Sequence, residues 1–214
     1  MFRPIHAISG LYAITPDCAD TSDLLRRTQL VLAGGASVLQ YRNKMANKTL
    51  LLAQAQLLRE LTHQFSVPLI INDDVQLAAQ VGADGVHLGA ADTTPDAARA
   101  VLGRQKIIGV SCYNSPSLAR KVVTEGVDYV AFGAFFSSLV KPDAVAANID
   151  LLRQMRAELE VPLVAIGGIT AQNGADLIKA GADSLAVISA LFDEADIQVA
   201  AQSFSKLFVQ DFAT

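Results

Sequence analysis

An α/β fold, a single (β/α)8 TIM barrel spanning residues 1–214, is predicted by three observations. Eight short, near-continuous apolar runs alternate with helical patterns, as expected of parallel strands buried on both faces. A glycine-led turn recurs ahead of every second run. No glycine fingerprint for a dinucleotide follows the first run, and an open doubly wound sheet would usually carry fewer strands.

The strands are GLYAIT from Gly10, SVLQYR from Ser37, PLIIND from Pro68, GVHLG from Gly85, KIIGVS from Lys106, YVAFG from Tyr129, PLVAIGG from Pro162 and SLAVIS from Ser184. After the second, Leu50, Ala53, Leu57, Leu61 and Phe65 recur at three- and four-residue steps and predict one apolar helix stripe. The seventh helix is expected to start with Thr170 as N-cap and to stop at Gly181. Gly35-Ala36-Ser37, Gly82-Ala83-Asp84, Gly126-Val127-Asp128 and Gly181-Ala182-Asp183 each read as a helix-ending glycine, a tight turn and then a strand. They precede strands two, four, six and eight. Val67-Pro68-Leu69 and Val161-Pro162-Leu163 echo one another on odd strands. Such alternation suits a barrel whose interior layers come from alternate strands, here compact against ~250 residues for a typical one.

Half the chain (51%) is hydrophobic, enough for a substantial core, and the net charge of −4 gives no basic field for nucleic acid or anionic lipid. No apolar run is long enough to span a bilayer, and MFRPIHAISGLY has no signal-peptide core. Cys18 and Cys112 read as reduced thiols. A cytoplasmic protein acting on small molecules is expected, without nucleic-acid or membrane partners; homo-oligomerisation stays open.

Active sites of such barrels lie at the C-terminal ends of the strands. Gln40, Arg42 and Lys44 alternate with Tyr41 and Asn43, so they share one face as strand two emerges at the mouth. Solvated cations, or cations paired with neighbouring carboxylates, would be the plain reading. Convergence with Asp73 after strand three and Asp92 after strand four points instead to a magnesium–pyrophosphate ligand; Asn72 also ends strand three and Ser111 ends strand five. Magnesium often takes only one or two protein carboxylates, leaving phosphate oxygens to meet fixed cations. Gly167-Gly168 and Ser189, after strands seven and eight, suggest a second anion site, where glycines allow close approach to backbone N–H groups and a helix N-terminus adds its dipole.

QYRNK, IINDDVQLA, GADGVHLG followed by Asp92, IIGVS, the loop ending in Lys141-Pro142-Asp143, and VAIGGIT with VIS resemble the thiamine-phosphate synthase (thiamine-phosphate pyrophosphorylase) family, in order along essentially the whole chain. The resemblance implies a transferase of thiamine biosynthesis. It would join hydroxymethylpyrimidine diphosphate to thiazole phosphate with release of pyrophosphate. It implies that Gln40, Arg42, Lys44 and Asn72 contact the pyrimidine diphosphate, with Ser111 and Lys141 completing that site. Asp73 and Asp92 would hold Mg2+. Ser138, Val140, Gly168, Ile188 and Ser189 would bind the thiazole phosphate. Arg42, Lys44 and Lys141 would stabilise the departing pyrophosphate, under a lid formed by residues 135–148. Val140 stands where the family usually carries Thr, which predicts weaker thiazole binding; Ala90 stands where Gln is common.

A thiazole tautomerase of the same fold tends to lose the pyrophosphate and metal set that this chain keeps. A non-catalytic thiamine-phosphate binding protein would not need metal ligands. Other polar residues read as structural: His87 as a buried, hydrogen-bonded histidine, Cys112 as a small core residue facing away from Ser111, and Asp74 as a helix cap. Tyr12 could touch a ring or pack in the core.

Overall fold

The protein is described by a computed structural model over residues 8–89, 92–136 and 147–209. Eight parallel strands close into a barrel in sequence order: β1 (Gly10–Ile14), β2 (Val38–Tyr41), β3 (Leu69–Asn72), β4 (Gly85–Leu88), β5 (Ile107–Tyr113), β6 (Tyr129–Phe132), β7 (Leu163–Ile166) and β8 (Ser184–Val187). The first helices around it are α1 (Thr21–Ala33), α2 (Lys48–Gln64), α3 (Val75–Val81), α4 (Pro95–Leu102) and α5 (Pro116–Thr124). Then come α6 (Ile149–Glu158), α7 (Gly174–Lys179), the single turn α8 (Ser189–Phe192) and α9 (Ile197–Leu207), which packs on α1. Among the described residues no helix is long and apolar enough to cross a membrane.

Helix starts follow the sequence closely. Asp20, Asn47, Asp74, Thr94, Ser115, Asn148 and Asp196 each accept a first-turn backbone N–H through the side chain, which satisfies donors a helix leaves open. Asp74 is therefore a cap, as expected. Thr170 is not. Helix α7 begins later, at Gly174. Asn173 Oδ1 accepts the Thr170 N–H at 2.8 Å, while Asn173 Nδ2 donates to the Gly168 carbonyl at 3.1 Å. One amide thus staples a turn where a helix start was expected.

The apolar stripe expected on α2 is also rotated. The buried positions are Gln54, Ala55, Leu58 and Thr62, whereas Ala53 and Leu57 are exposed. Gln54 is accepted in the core because its amide is fully used: it takes protons from Tyr41 Oη (2.7 Å) and Asn43 Nδ2 (3.0 Å) and donates to the Cys18 carbonyl (3.1 Å).

Two apolar layers result. A shell between barrel and helices includes Leu39, Tyr41, Ile71 and Cys112. A smaller interior cluster includes Tyr12, Val38, Ile70, Tyr129, Ala131, Val164 and Ala186. Gly109 lies under the Tyr129 ring, and a Cβ there would sit 1.9 Å from Tyr129 Cζ. The glycine is what lets a phenol cross the barrel.

The recurring Gly-x-Asp turns carry a repeated device at the N-terminal rim. Asp84 Oδ2 accepts the Leu69 N–H at 2.8 Å and lies 3.1 Å from an Arg59 Nη1. Asp128 Oδ2 takes the Ile108 N–H at 2.7 Å and Arg99 Nη2 at 2.7 Å. Asp183 Oδ2 takes the Leu163 N–H at 2.7 Å and Arg156 Nη1 at 2.8 Å. Each carboxylate clamps the preceding odd strand to the helix that comes before that strand: Arg59 is on α2, Arg99 on α4 and Arg156 on α6. In the first unit Ser37 replaces the aspartate and donates to the Leu11 carbonyl instead.

Candidate active site

The mouth is built from the C-terminal strand ends. Alternation along β2 continues past its last residue. Tyr41 and Asn43 turn outward to Gln54, and Gln40 points inward, only 3% exposed. Arg42 is fixed by its backbone, whose N–H and C=O both pair with Thr15 Oγ1 at 2.9 Å. Its guanidinium reaches Asp17 Oδ1 at 3.2 Å, and the same oxygen accepts the Lys44 N–H at 2.6 Å. Asp17 and Thr15, both on the chain leaving β1, were invisible as site residues in the sequence. They stitch the β1 loop to the loop that carries both cations.

Lys44 Nζ lies 3.8 Å from Asp73 Oδ2. Asp73 follows Asn72 at the end of β3 and adopts φ +62°, a left-handed conformation that Asp and Asn tolerate better than most residues. Its N–H is held by the His87 carbonyl at 2.8 Å. Burial, and next the neighbouring Asp92 carboxyl, push the Asp73 carboxyl above its usual range; Lys44 and Asn72 pull the other way and are outweighed. Asp92 curls back so that Oδ2 accepts the Gly89 N–H at 2.7 Å. The two carboxylates are therefore neighbours, with a lysine beside them. Each cation does have a carboxylate partner, and those partners belong to the same mouth.

A cavity of about 330 Å³ runs along these residues, lined by Arg42, Lys44, Asn72 and Asp73 among others. A larger one, about 550 Å³, lies toward α3 and α4 and shares Asp73 and Asp74 with it. Converging polar groups line the smaller one.

Ser111 on β5 meets His87 Nε2 at 2.8 Å. His87 is 9% exposed, and burial holds its pKa down to about 4 against an opposing pull from Asp92. It is a buried, hydrogen-bonded histidine, as the sequence suggested. Cys112 is fully buried in the shell behind Ser111; both cysteines are free thiols.

Across the mouth, Gly167 (φ +103°) and Gly168 (φ +61°) hold a turn that other residues would strain. A Cβ on Gly167 would come within 2.4 Å of Ala134 Cβ. Ile188 packs on the interior cluster and Ser189 opens the four-residue α8. Ser138, Val140, Lys141 and Ala90 lie outside the described residues, as does most of the expected lid.

A family model described as thiamine monophosphate synthase matches residues 11–191. The thiamine-phosphate synthase of Methylobacillus flagellatus is 57% identical over 201 residues, covering 94% of this chain and 96% of that protein. That of Nitrosospira multiformis is 54% identical over 205 residues, covering 96% and 88%. Among solved structures, a thiamine phosphate pyrophosphorylase from Pyrococcus furiosus superposes with a TM-score of 0.87 at 29% identity, covering 98% of this chain and all of that one. A model match over most of the length, relatives more than half identical end to end, and a shared barrel agree: the chain belongs to the thiamine monophosphate synthase family.

Proposed function

We propose that this transferase joins hydroxymethylpyrimidine diphosphate to thiazole phosphate by dissociative substitution at the mouth of the barrel. The observation that carries the reading is the convergence of Arg42, Lys44, Asn72, Asp73 and Asp92 from three adjacent strand ends. The bond between the pyrimidine methylene and the diphosphate oxygen breaks, and its electron pair leaves with pyrophosphate. The methylene cation is delocalised by the ring's amino group, and the thiazole nitrogen supplies the pair for the new C–N bond. No protein nucleophile is needed. Arg42 and Lys44 oppose the growing charge on the leaving group from fixed positions, which costs no reorganisation during reaction. Gln40 and Asn72 orient the pyrimidine diphosphate, Ser111 donates to it, and Gly168, Ile188 and Ser189 anchor the thiazole phosphate. Ser138, Val140 and Lys141 keep, as proposals, the roles their motif implies.

Two adjacent carboxylates of hard oxygen, one pushed toward its protonated form by burial and then by the other, fit a divalent cation. Mg2+ held by Asp73 and Asp92 would neutralise pyrophosphate charge.

Purified protein given both substrates and Mg2+ is expected to release pyrophosphate only when both substrates are present. No release, or release without the thiazole, overturns the reading. Asp17→Ala tests the loop stitching. Freeing Arg42 and the Lys44 N–H should raise KM for the pyrimidine diphosphate about three- to tenfold, the worth of a partly exposed ion pair plus one hydrogen bond, with kcat little changed. An unaltered KM would remove Asp17 from the site.

A further inference from the structure

One continuous chain of side-chain hydrogen bonds crosses the barrel interior and joins two residues of the mouth. Gln40 Nε2 donates to Tyr12 Oη at 2.9 Å. Tyr12 Oη and Tyr129 Oη are 2.7 Å apart. Tyr129 Oη lies 2.8 Å from His87 Nδ1, and His87 Nε2 lies 2.8 Å from Ser111 Oγ. Tyr12 and Tyr129 are fully buried. Strands β2, β1, β6, β4 and β5 each contribute one member.

Counting protons gives the chain a direction. Tyr12 has one proton and already accepts from Gln40, so it donates to Tyr129. The Tyr129 proton then has His87 Nδ1 as its acceptor. Nδ1 therefore carries no proton, and the imidazole proton sits on Nε2 and is donated to Ser111 Oγ. The Ser111 proton is left over at the mouth. At the other end the Gln40 amide is turned so that Oε1 is its atom remote from Tyr12.

We infer that these five side chains form one polarised relay, which commits Ser111 to donate and Gln40 to present an acceptor, and that Tyr12, Tyr129 and His87 are positioning residues. The site is thereby matched to a ligand that offers an anionic oxygen to β5 and an N–H donor to β2. An aminopyrimidine diphosphate has both, so the assignment rests on the proposed function while adding a reason for its selectivity. In a buried, low-dielectric chain each bond strengthens the next, and reversing one end would require reversing all. Tyr129, at the centre over Gly109, is where a single hydroxyl couples both ends.

The relay is tested first without turnover. Nitrogen-15 NMR of histidine-labelled protein, with the His87 signals assigned by their loss in His87→Gln, should show the proton on Nε2. A proton on Nδ1 overturns the relay. Second, Tyr129→Phe frees the Tyr12 proton to turn toward Gln40 and leaves Nδ1 unpartnered. It is expected to lower kcat/KM for the pyrimidine diphosphate about ten- to a hundredfold. It should also shrink discrimination against an analogue lacking the amino group by about tenfold, because the Gln40 amide is no longer held. His87→Gln, which keeps one acceptor and one donor on a single amide, should retain more activity than His87→Phe. If Tyr129→Phe is only less stable, with discrimination unchanged, the phenol is packing alone and the relay is wrong. If the wild type releases no pyrophosphate, the proposed function fails, and the tautomer still decides the relay.

Discussion

Asp73→Asn is expected to cut turnover about 10²–10³-fold, the scale of losing one pre-organised electrostatic contact, and yet to make the metal-free protein more heat-stable near neutral pH. The second half follows from the direction of the Asp73 shift. Burial and the Asp92 carboxyl raise its pKa in the folded state. A raised folded pKa means that the group's stabilising contribution is complete below the unfolded pKa and is lost as pH rises through the folded one. At neutral pH the ionised carboxylate is therefore a cost that only a cation can offset. Asparagine removes the charge, keeps the shape and tolerates the same positive φ, so the backbone is not an additional variable. Thermal unfolding in chelator from acidic to neutral pH is the measurement. The advantage of the variant should fade as pH falls. A variant that is less stable at neutral pH without metal would show that pairing with Lys44 outweighs the repulsion, and full activity would remove Asp73 from the metal site.

Asp128→Ala should have the largest effect on stability, about 2–3 kcal/mol, seen as a fall of about 5–10 °C in melting temperature. It strands the Ile108 N–H and takes the carboxylate from the Arg99 guanidinium, which keeps the carbonyls of Gly103, Lys106 and Gly126 and whose side chain is 22% exposed. That exposure sets the figure below the cost of breaking a fully buried pair. Asp128→Asn, which keeps an acceptor for Ile108, should recover part of the loss. A change under about 0.5 kcal/mol in the alanine variant would show the clamp to be ornamental. Because it lies at the rim opposite the mouth, kcat/KM at a temperature where both proteins are folded should not move.

The barrel was legible because parallel strands buried on both faces must be apolar almost throughout, and all eight runs fell on strands. The carboxylates and cations of the mouth were legible for the converse reason: Asp73 and Lys44 interrupt apolar runs where the chain has to emerge. What the sequence concealed depended on register or on partners far along the chain. Tyr12 and Tyr129 look like ordinary strand aromatics, and only the pairing of five strands brings their hydroxyls together. Asp17 gains its role from the backbone of Lys44 and the guanidinium of Arg42, and backbone groups leave no mark in a residue pattern. The face of α2 was misjudged because counting apolar residues cannot foresee a glutamine with three buried partners. Thr170 has the chemistry of a cap, but residues 171–173 turn before the helix opens at Gly174, so its hydroxyl has no first helical turn to cap. The aspartates of the repeated turns were visible as a pattern, while their arginines, 25 to 29 residues away, were not connected to them.

Those aspartate clamps also order events in time. Each carboxylate lies only 15 or 20 residues after the backbone N–H it binds, and its arginine precedes both. As the chain leaves the ribosome, everything a clamp needs is already synthesised when its aspartate appears, and closing so short a loop is cheap in entropy. The seam between β1 and β8 is different: Ser184 Oγ donates to the Gly10 carbonyl across 174 residues. It can form only after β8 has been made. On chains arrested at increasing lengths, the Leu69, Ile108 and Leu163 amides should gain protection from hydrogen exchange in that order, one clamp at a time. The Gly10 amide, which bonds the Asp183 carbonyl across the same seam, should gain it last. Until then β1, with Tyr12 on it, waits for its second neighbour, and the mouth cannot be assembled by any chain that stops short of β8.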